Sequence, residues 1–180
     1  MPATKNLLAI NGSTRAASTN LNLLHAIQEM AAGQFVITIY DGLMQLPHFN
    51  PDDDVEPANE QVAAFRSQLR EADGILICTP EYAMGVPGTL KNAIDWTVSS
   101  CEFSHKPTAL ITASSVGAKG HASLLETLKI IEAVIADDTQ LLIPHAKTKI
   151  SAAGKITDAS AAAAVQQLLY ALENRMQKTA

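Results

Sequence analysis

Cysteine is scarce in this chain of 180 residues, with two in all. Cys78 and Cys101 lie far apart and outside any Cys-x-x-Cys pattern, so a disulfide is not expected. Cys78 falls inside an apolar run, where a buried, inert thiol is expected. Long apolar runs are missing as well. None approaches the roughly 18–20 residues of a membrane span, and the first, over residues 7–10, is too short for a signal-peptide core. Positive charge is not in excess either: a net charge of −5 removes any general electrostatic case for nucleic acid binding. Two phosphate fingerprints are absent. Without G-x-G-x-x-G, a dinucleotide pyrophosphate pressed on glycine backbone is not expected, and without G-x-x-x-x-G-K-[ST] there is no P-loop nucleotidase.

What remains describes an ordinary soluble protein. Apolar residues make up 47% and charged residues 17%, far from the composition of a disordered chain. The length suits one well-buried α/β domain over residues 1–180 and is short for two. No repeat, linker or low-complexity tract interrupts it, and a cytoplasmic location is the default expectation.

Short apolar runs alternate with amphipathic stretches throughout. Runs at 7–10, 35–40, 75–78, 108–112 and 140–143 predict five buried strands. Between them, Leu23, Leu24, Ile27 and Met30 mark one helix face. Further helices are predicted over 58–72 (Val62, Phe65, Leu69 inward) and 89–98 (Leu90, Ile94 and Thr97/Val98 on one face). Another bears Leu124, Leu128, Ile131 and Ile135, and a last one covers 158–176. Interleaved strands and helices predict a doubly wound sheet, which binds ligands outside the carboxyl ends of its strands.

Three strand-to-helix loops carry the candidate chemistry. The first runs Asn11-Gly-Ser-Thr-Arg-Ala-Ala-Ser-Thr-Asn20. A helix start offers free N–H groups and partial positive charge. Ser13, Ser18, Thr19 and Asn20 add side-chain donors, and Arg15 can fork onto phosphate oxygens. Such a loop suits one terminal phosphate; Ser18 or Asn20 serving only as a helix cap is the plainer alternative. The second runs from Gly74 to Trp96 and breaks at Pro80, Gly85, Pro87 and Gly88. The third, Ala113-Ser-Ser-Val-Gly-Ala-Lys-Gly120, repeats the logic of small residues at a helix start. His121 beyond it reads as a surface or capping residue rather than a catalytic acid. The Asp52-Asp53-Asp54 run reads as solvated surface.

Pro80-Glu81-Tyr82 followed by Pro87-Gly88-Thr89-Leu90-Lys91-Asn92-Ala93-Ile94-Asp95-Trp96 resembles the signature of the NAD(P)H-dependent FMN reductases, a family with chromate, quinone and azo-dye reductase members. Gly12, Ser13, Arg15, Ser18 and Asn20 also fall in register with that family's phosphate loop. The resemblance implies an α/β fold, a flavodoxin-like doubly wound five-stranded parallel sheet with helices on both faces. It implies FMN as cofactor, NADPH or NADH as co-substrate and a small-molecule electron acceptor such as a flavin or quinone. It places the phosphate at Ser13, Arg15, Ser18, Thr19 and Asn20. The ring falls between Pro80, Glu81, Tyr82, Ala83 and Met84 on one side and Ser114, Ser115 and Gly117 on the other. No side chain is needed as nucleophile or metal ligand, because flavin carries the chemistry. Lys119 or nearby N–H groups are candidates to stabilise negative charge at the ring edge. A homodimer or homotetramer is implied, with Leu46, Pro47 and Phe49 in a surface loop as interface candidates.

Two departures stand out. The family usually has Asn where this chain has Ala83, which implies a lost polar contact and weaker FMN binding. Lys119-Gly120-His121 replaces the family's paired glycines and arginine. Two other classes therefore stand beside the enzyme: a flavodoxin-type electron carrier and a flavin-free regulatory relative. Carriers sandwich their flavin between aromatic rings, and aromatics are 4% here, with Tyr82 alone in a flavin loop.

Overall fold

The structure, a computed structural model, describes residues 4–178. Its sheet has five strands: β1 (Lys5–Asn11), β2 (Phe35–Tyr40), β3 (Gly74–Thr79), β4 (Thr108–Ala113) and β5 (Gln140–Ile143). Every neighbouring pair is parallel, in the spatial order β2-β1-β3-β4-β5. The order reverses direction at β1, so a crevice opens outside the carboxyl ends of β1 and β3.

β3 and β4 are buried along their whole length, which is why their sequences show no polar alternation. The pleat instead sorts their side chains into two cores. Leu7, Ala9, Leu76 and Cys78 face α1 (Thr19–Met30) and α6 (Ala159–Lys178). Leu8, Ile10, Ile75 and Ile77 face α2 (Glu60–Glu71), α3 (Gly88–Asp95) and α4 (Ala118–Ile130). Full burial of a Leu or Ile contributes about 1.5–3 kcal/mol. Leu23, Leu24 and Ile27 therefore hold α1 down more strongly than its Ser18 cap, worth about 1 kcal/mol.

Helix ends differ from the sequence expectation in instructive ways. The helix predicted over 89–98 stops at Asp95, and Val98 lies exposed in the turns that follow. Trp96 ends it: the indole is buried, and its N–H donates to the Pro47 carbonyl at 2.9 Å. α4 ends at Ile130, leaving Ile131 and Ile135 beyond the helix although both pack on its core. α2 starts later than predicted because the Asn59 side chain accepts from the Gln61 amide at 3.0 Å and caps it.

Two surface readings are corrected. Leu46 is buried, and Phe49 sits edge-on to Trp96 with ring centroids 5.0 Å apart, so the 46–49 loop turns its apolar side chains inward onto α3. Asp54 is not a solvated member of an acidic run. It pairs with the buried Arg66 at 2.7 Å and takes a short hydrogen bond from the Ser99 hydroxyl. Arg66 also donates through Nε to the Trp96 carbonyl at 2.8 Å, tying α2 to the end of α3.

Candidate functional site

A cleft of about 440 Å³ opens at the carboxyl edge of the sheet, where ligands of α/β folds bind. Its first wall is the β1–α1 loop. Gly12 backs onto β3: its amide donates to the Cys78 carbonyl at 2.8 Å, and a Cβ there would meet Thr79 Oγ1 at 2.6 Å. Asn11 then folds the loop, its amide donating to the Ser13 carbonyl at 2.8 Å. Ser13, Arg15, Ser18, Thr19 and Asn20 all line the cleft.

These five have different duties. The Ser18 hydroxyl oxygen accepts from the Leu21 amide at 3.2 Å, the helix-capping role, and can still donate its own proton. Asn20 turns inward. Its amide donates to the Ala113 carbonyl at 3.1 Å and its oxygen accepts from the Cys78 thiol at 3.2 Å, so its side chain fastens α1 to β3 and β4. The backbone N–H groups of Thr19 and Asn20 belong to the open first turn, which lacks intrahelical acceptors. The Arg15 side chain is exposed and has no carboxylate partner among the described residues, whereas Arg66, Arg70 and Arg175 each pair with one.

The second and third walls are the β3–α3 and β4–α4 loops. Pro80, Glu81, Tyr82, Ser114 and Ser115 line the cleft. Glu81 holds the two loops together: its amide donates to Ser114 Oγ at 3.2 Å, and its carboxylate accepts from the Gly120 amide at 2.7 Å. Gly120 has no room for a side chain, since a Cβ would stand 2.7 Å from the Gly85 carbonyl and 3.1 Å from Glu81 Cγ.

Ala83, Met84 and Gly117 do not line the cleft. Ala83 and Met84 are the two central residues of a tight turn closed by Tyr82–Gly85 hydrogen bonds of 2.9 Å in both directions. Both have positive φ, 49° and 63°, and both point to solvent. Asn tolerates this left-handed backbone better than Ala does, so the family preference at position 83 has a conformational reason that needs no contact with flavin. Gly117 is the α4 cap at φ 92°, buried against Leu142 and Thr112. Lys119 is exposed and outside the cleft. His121 bridges two strands, with Nδ1 2.9 Å from Thr112 Oγ1 and Nε2 3.2 Å from Gln140 Oε1.

Sequence reasoning missed a fourth wall. His145, Ala146, Lys147 and Thr148 follow β5, in and before the short helix α5 (Ala146–Lys149). No periodicity or motif marks them; they reach the cleft because β5 ends beside β4.

The sequence matches the NADPH-dependent FMN reductase family over residues 6–148. The chain belongs to this family. It is 34% identical over 157 residues to a 2-hydroxy-1,4-benzoquinone reductase of a Burkholderia species, covering 83% of this chain and 84% of that one. It is 33% identical over 172 residues to an NAD(P)H-dependent FMN reductase of Pseudomonas aeruginosa, covering 93% and 92%. The fold superposes on FerB, a flavoenzyme NAD(P)H:(acceptor) oxidoreductase of Paracoccus denitrificans, with a TM-score of 0.86, 28% identity and coverage of 97% and 98%. The architecture is thus flavodoxin-like, and the chain is an FMN-dependent NAD(P)H oxidoreductase.

The cleft's donor set fits FMN. One guanidinium, the Ser13 and Ser18 hydroxyls and an open helix start suit a phosphomonoester. The one carboxylate in the lining, Glu81, is already turned onto the Gly120 amide.

Proposed function

We propose that this cleft holds FMN, and that the enzyme passes a hydride from NADPH or NADH to a quinone, a flavin or a similar small acceptor. The observation that carries the assignment is Arg15. A guanidinium without a carboxylate among the described residues lines a cleft at an open helix start, beside two hydroxyls. Bound there, FMN supplies the redox chemistry. The chain's own residues bind and orient. Arg15, Ser13 and the first-turn N–H groups of α1 take the phosphate; Ser114 and Ser115 offer polar contacts on the far side. Glu81 fixes the distance between the two ring-side loops by holding Ser114 and Gly120 at once. Tyr82 is the one Phe, Tyr or Trp in the lining and is 46% exposed, so one side of the site stays open for a second planar molecule to stack. That openness favours an enzyme over an electron carrier.

The enzyme is proposed to act in the cytoplasm as a homodimer or homotetramer. Supporting association, Met84 is 74% exposed and Tyr82 46% exposed at the cleft rim. Sedimentation at micromolar concentration reads this directly, and a fully active monomer overturns it.

The test of the site is a titration of cofactor-free protein with FMN, FAD and riboflavin. FMN binds tightest, and Arg15→Ala weakens it by roughly 10- to 100-fold, the worth of one charge-assisted hydrogen bond. Tight FAD binding with weak FMN binding, or an Arg15→Ala variant with unchanged FMN affinity, refutes the assignment.

A further inference from the structure

The wall after β5 closes the fourth side of the cleft. It is fixed from two directions. The His145 amide donates to the Ser115 carbonyl at 3.1 Å and the Ala146 amide to the Ser114 carbonyl at 3.0 Å. Five to six residues on, the Ser151 carbonyl accepts from Asn22 Nδ2 of α1 at 3.3 Å. Ala146 and Ile150 are buried in the core that also seats α1. The chain therefore crosses from the β4 loop to the first turns of α1, and Lys147 stands on that crossing, exposed and lining the cleft.

The cations of the chain show why Lys147 differs from the rest. Lys5, Lys91, Lys129 and Lys155 each lie within ion-pair reach of a carboxylate, as do all arginines except Arg15. Lys106 donates to the Arg70 and Ala72 carbonyls, and Lys149 acts on Asp158. Among the cations whose side chains are described, Arg15, Lys119 and Lys147 are unpaired, and two of these three line one cleft. Acidic residues outnumber Lys and Arg by 18 to 13, so the lack of a partner does not reflect a shortage of carboxylates. Thr148 cannot share the task of donating, because its hydroxyl donates to the His145 carbonyl at 2.9 Å.

We propose that Lys147 is the second cation of a phosphomonoester clamp whose first cation is Arg15. The two, from segments more than a hundred residues apart, meet the phosphate of the bound flavin nucleotide at the start of α1. A phosphomonoester carries a charge of about −1.5 to −2 at pH 7, more than one guanidinium neutralises. This rests on the reading of the cleft as the FMN site and adds a residue to it.

The experiment compares wild type, Lys147→Met, Lys147→Arg and Lys149→Met, each freed of cofactor, by quenching of flavin fluorescence with FMN and with riboflavin. Lys147→Met weakens FMN about tenfold at low salt, leaves riboflavin unchanged, and loses its effect in 0.5 M NaCl as charge is screened. Lys147→Arg keeps most of the FMN affinity. Lys149→Met, with the same loss of charge two residues on, keeps all of it. If wild type prefers FMN to riboflavin yet Lys147→Met matches wild type, the clamp is wrong and the FMN site stands. Equal weakening of FMN and riboflavin also overturns the clamp, because the wall then shapes the site without reading phosphate. If wild type does not bind FMN, the underlying site falls first.

Discussion

Replacing Glu81 tests whether the cleft's shape is held by one side chain. Its carboxylate is the acceptor for the Gly120 amide, in the first turn of α4, where no carbonyl lies behind to replace it. A hydrogen bond to a charged group is worth about 1.5–3 kcal/mol, and partial exposure of Glu81 places it near the lower figure. Glu81→Ala should therefore cost about 1.5 kcal/mol, which for a domain of this size is a Tm loss of roughly 3–6 °C. Glu81→Gln keeps an acceptor without charge and should lose about 0.5 kcal/mol. The consequence for the site is larger than for the fold. Gly120 packs so closely on the 81–85 turn that even a methyl group would stand 2.7 Å from the Gly85 carbonyl, so a shift of either loop after the latch is lost moves the other. FMN affinity should fall in Glu81→Ala and largely recover in Glu81→Gln. Thermal unfolding of the cofactor-free protein, exchange of the Gly120 amide and an FMN titration read the three effects. If Glu81→Ala keeps its Tm and its slow Gly120 exchange, Glu81 does not hold the loops. Equal FMN losses in the Ala and Gln variants would put the effect in charge and not in the latch.

Other outcomes follow from single side chains. The Ser99 hydroxyl and the Arg66 guanidinium hold the Asp54 carboxyl below its ordinary value of 3.8. The stability it contributes is therefore present at neutral pH and fades as pH falls through the folded-state value. Asp54→Ala should cost about 3 kcal/mol at pH 7, since it strands the buried Arg66, and the gap from wild type should close in acid unfolding below pH 3.8; a gap constant with pH refutes the pairing. Ala83→Asn or Ala83→Gly relieves a left-handed Ala at φ 49° and should raise stability by about 1 kcal/mol without changing FMN affinity. Tighter FMN in Ala83→Asn would instead place that side chain in the cleft. Burial pushes the Cys78 thiol up and out of reach, while Cys101 is exposed. One thiol should react with an aromatic disulfide in the native protein and two after unfolding; two in the native state would mean β3 opens readily.

Much of the fold was legible because it rests on local rules. Buried parallel strands need unbroken apolar runs, and each of the five was marked by one; β2 and β5 were bounded correctly to the residue. The cleft was legible where it is built from strand-to-helix loops, since an open helix start and small residues are visible in sequence. What escaped depends on partners distant in the chain. Asp54 reads as one more solvated acid until Arg66, Trp96 and Ser99 are brought around it. Asn20 sits at a helix start like a phosphate donor, yet the same position can turn inward, and the Ala113 carbonyl waiting there decides. Lys147 follows the shortest strand and carries no motif. Only the parallel pairing of β5 with β4 brings it to the cleft.

β3 is as oily on one side as on the other, with Ile75 and Ile77 in one core and Leu76 and Cys78 in the second. Sliding it one residue past β1 would exchange the sides and still leave every side chain in hydrocarbon, so burial gives little protection against misregistration. Shape has to provide it. A slip would carry Ile75 into the place of Gly74, where even a single carbon would stand 3.0 Å from the Pro107 carbonyl and would have to push the end of the Met176 side chain aside. At the other end Gly12 is pressed just as hard on Thr79. The alignment of the central strand, and with it the meeting of the loops above, is guarded by two residues that have no side chain.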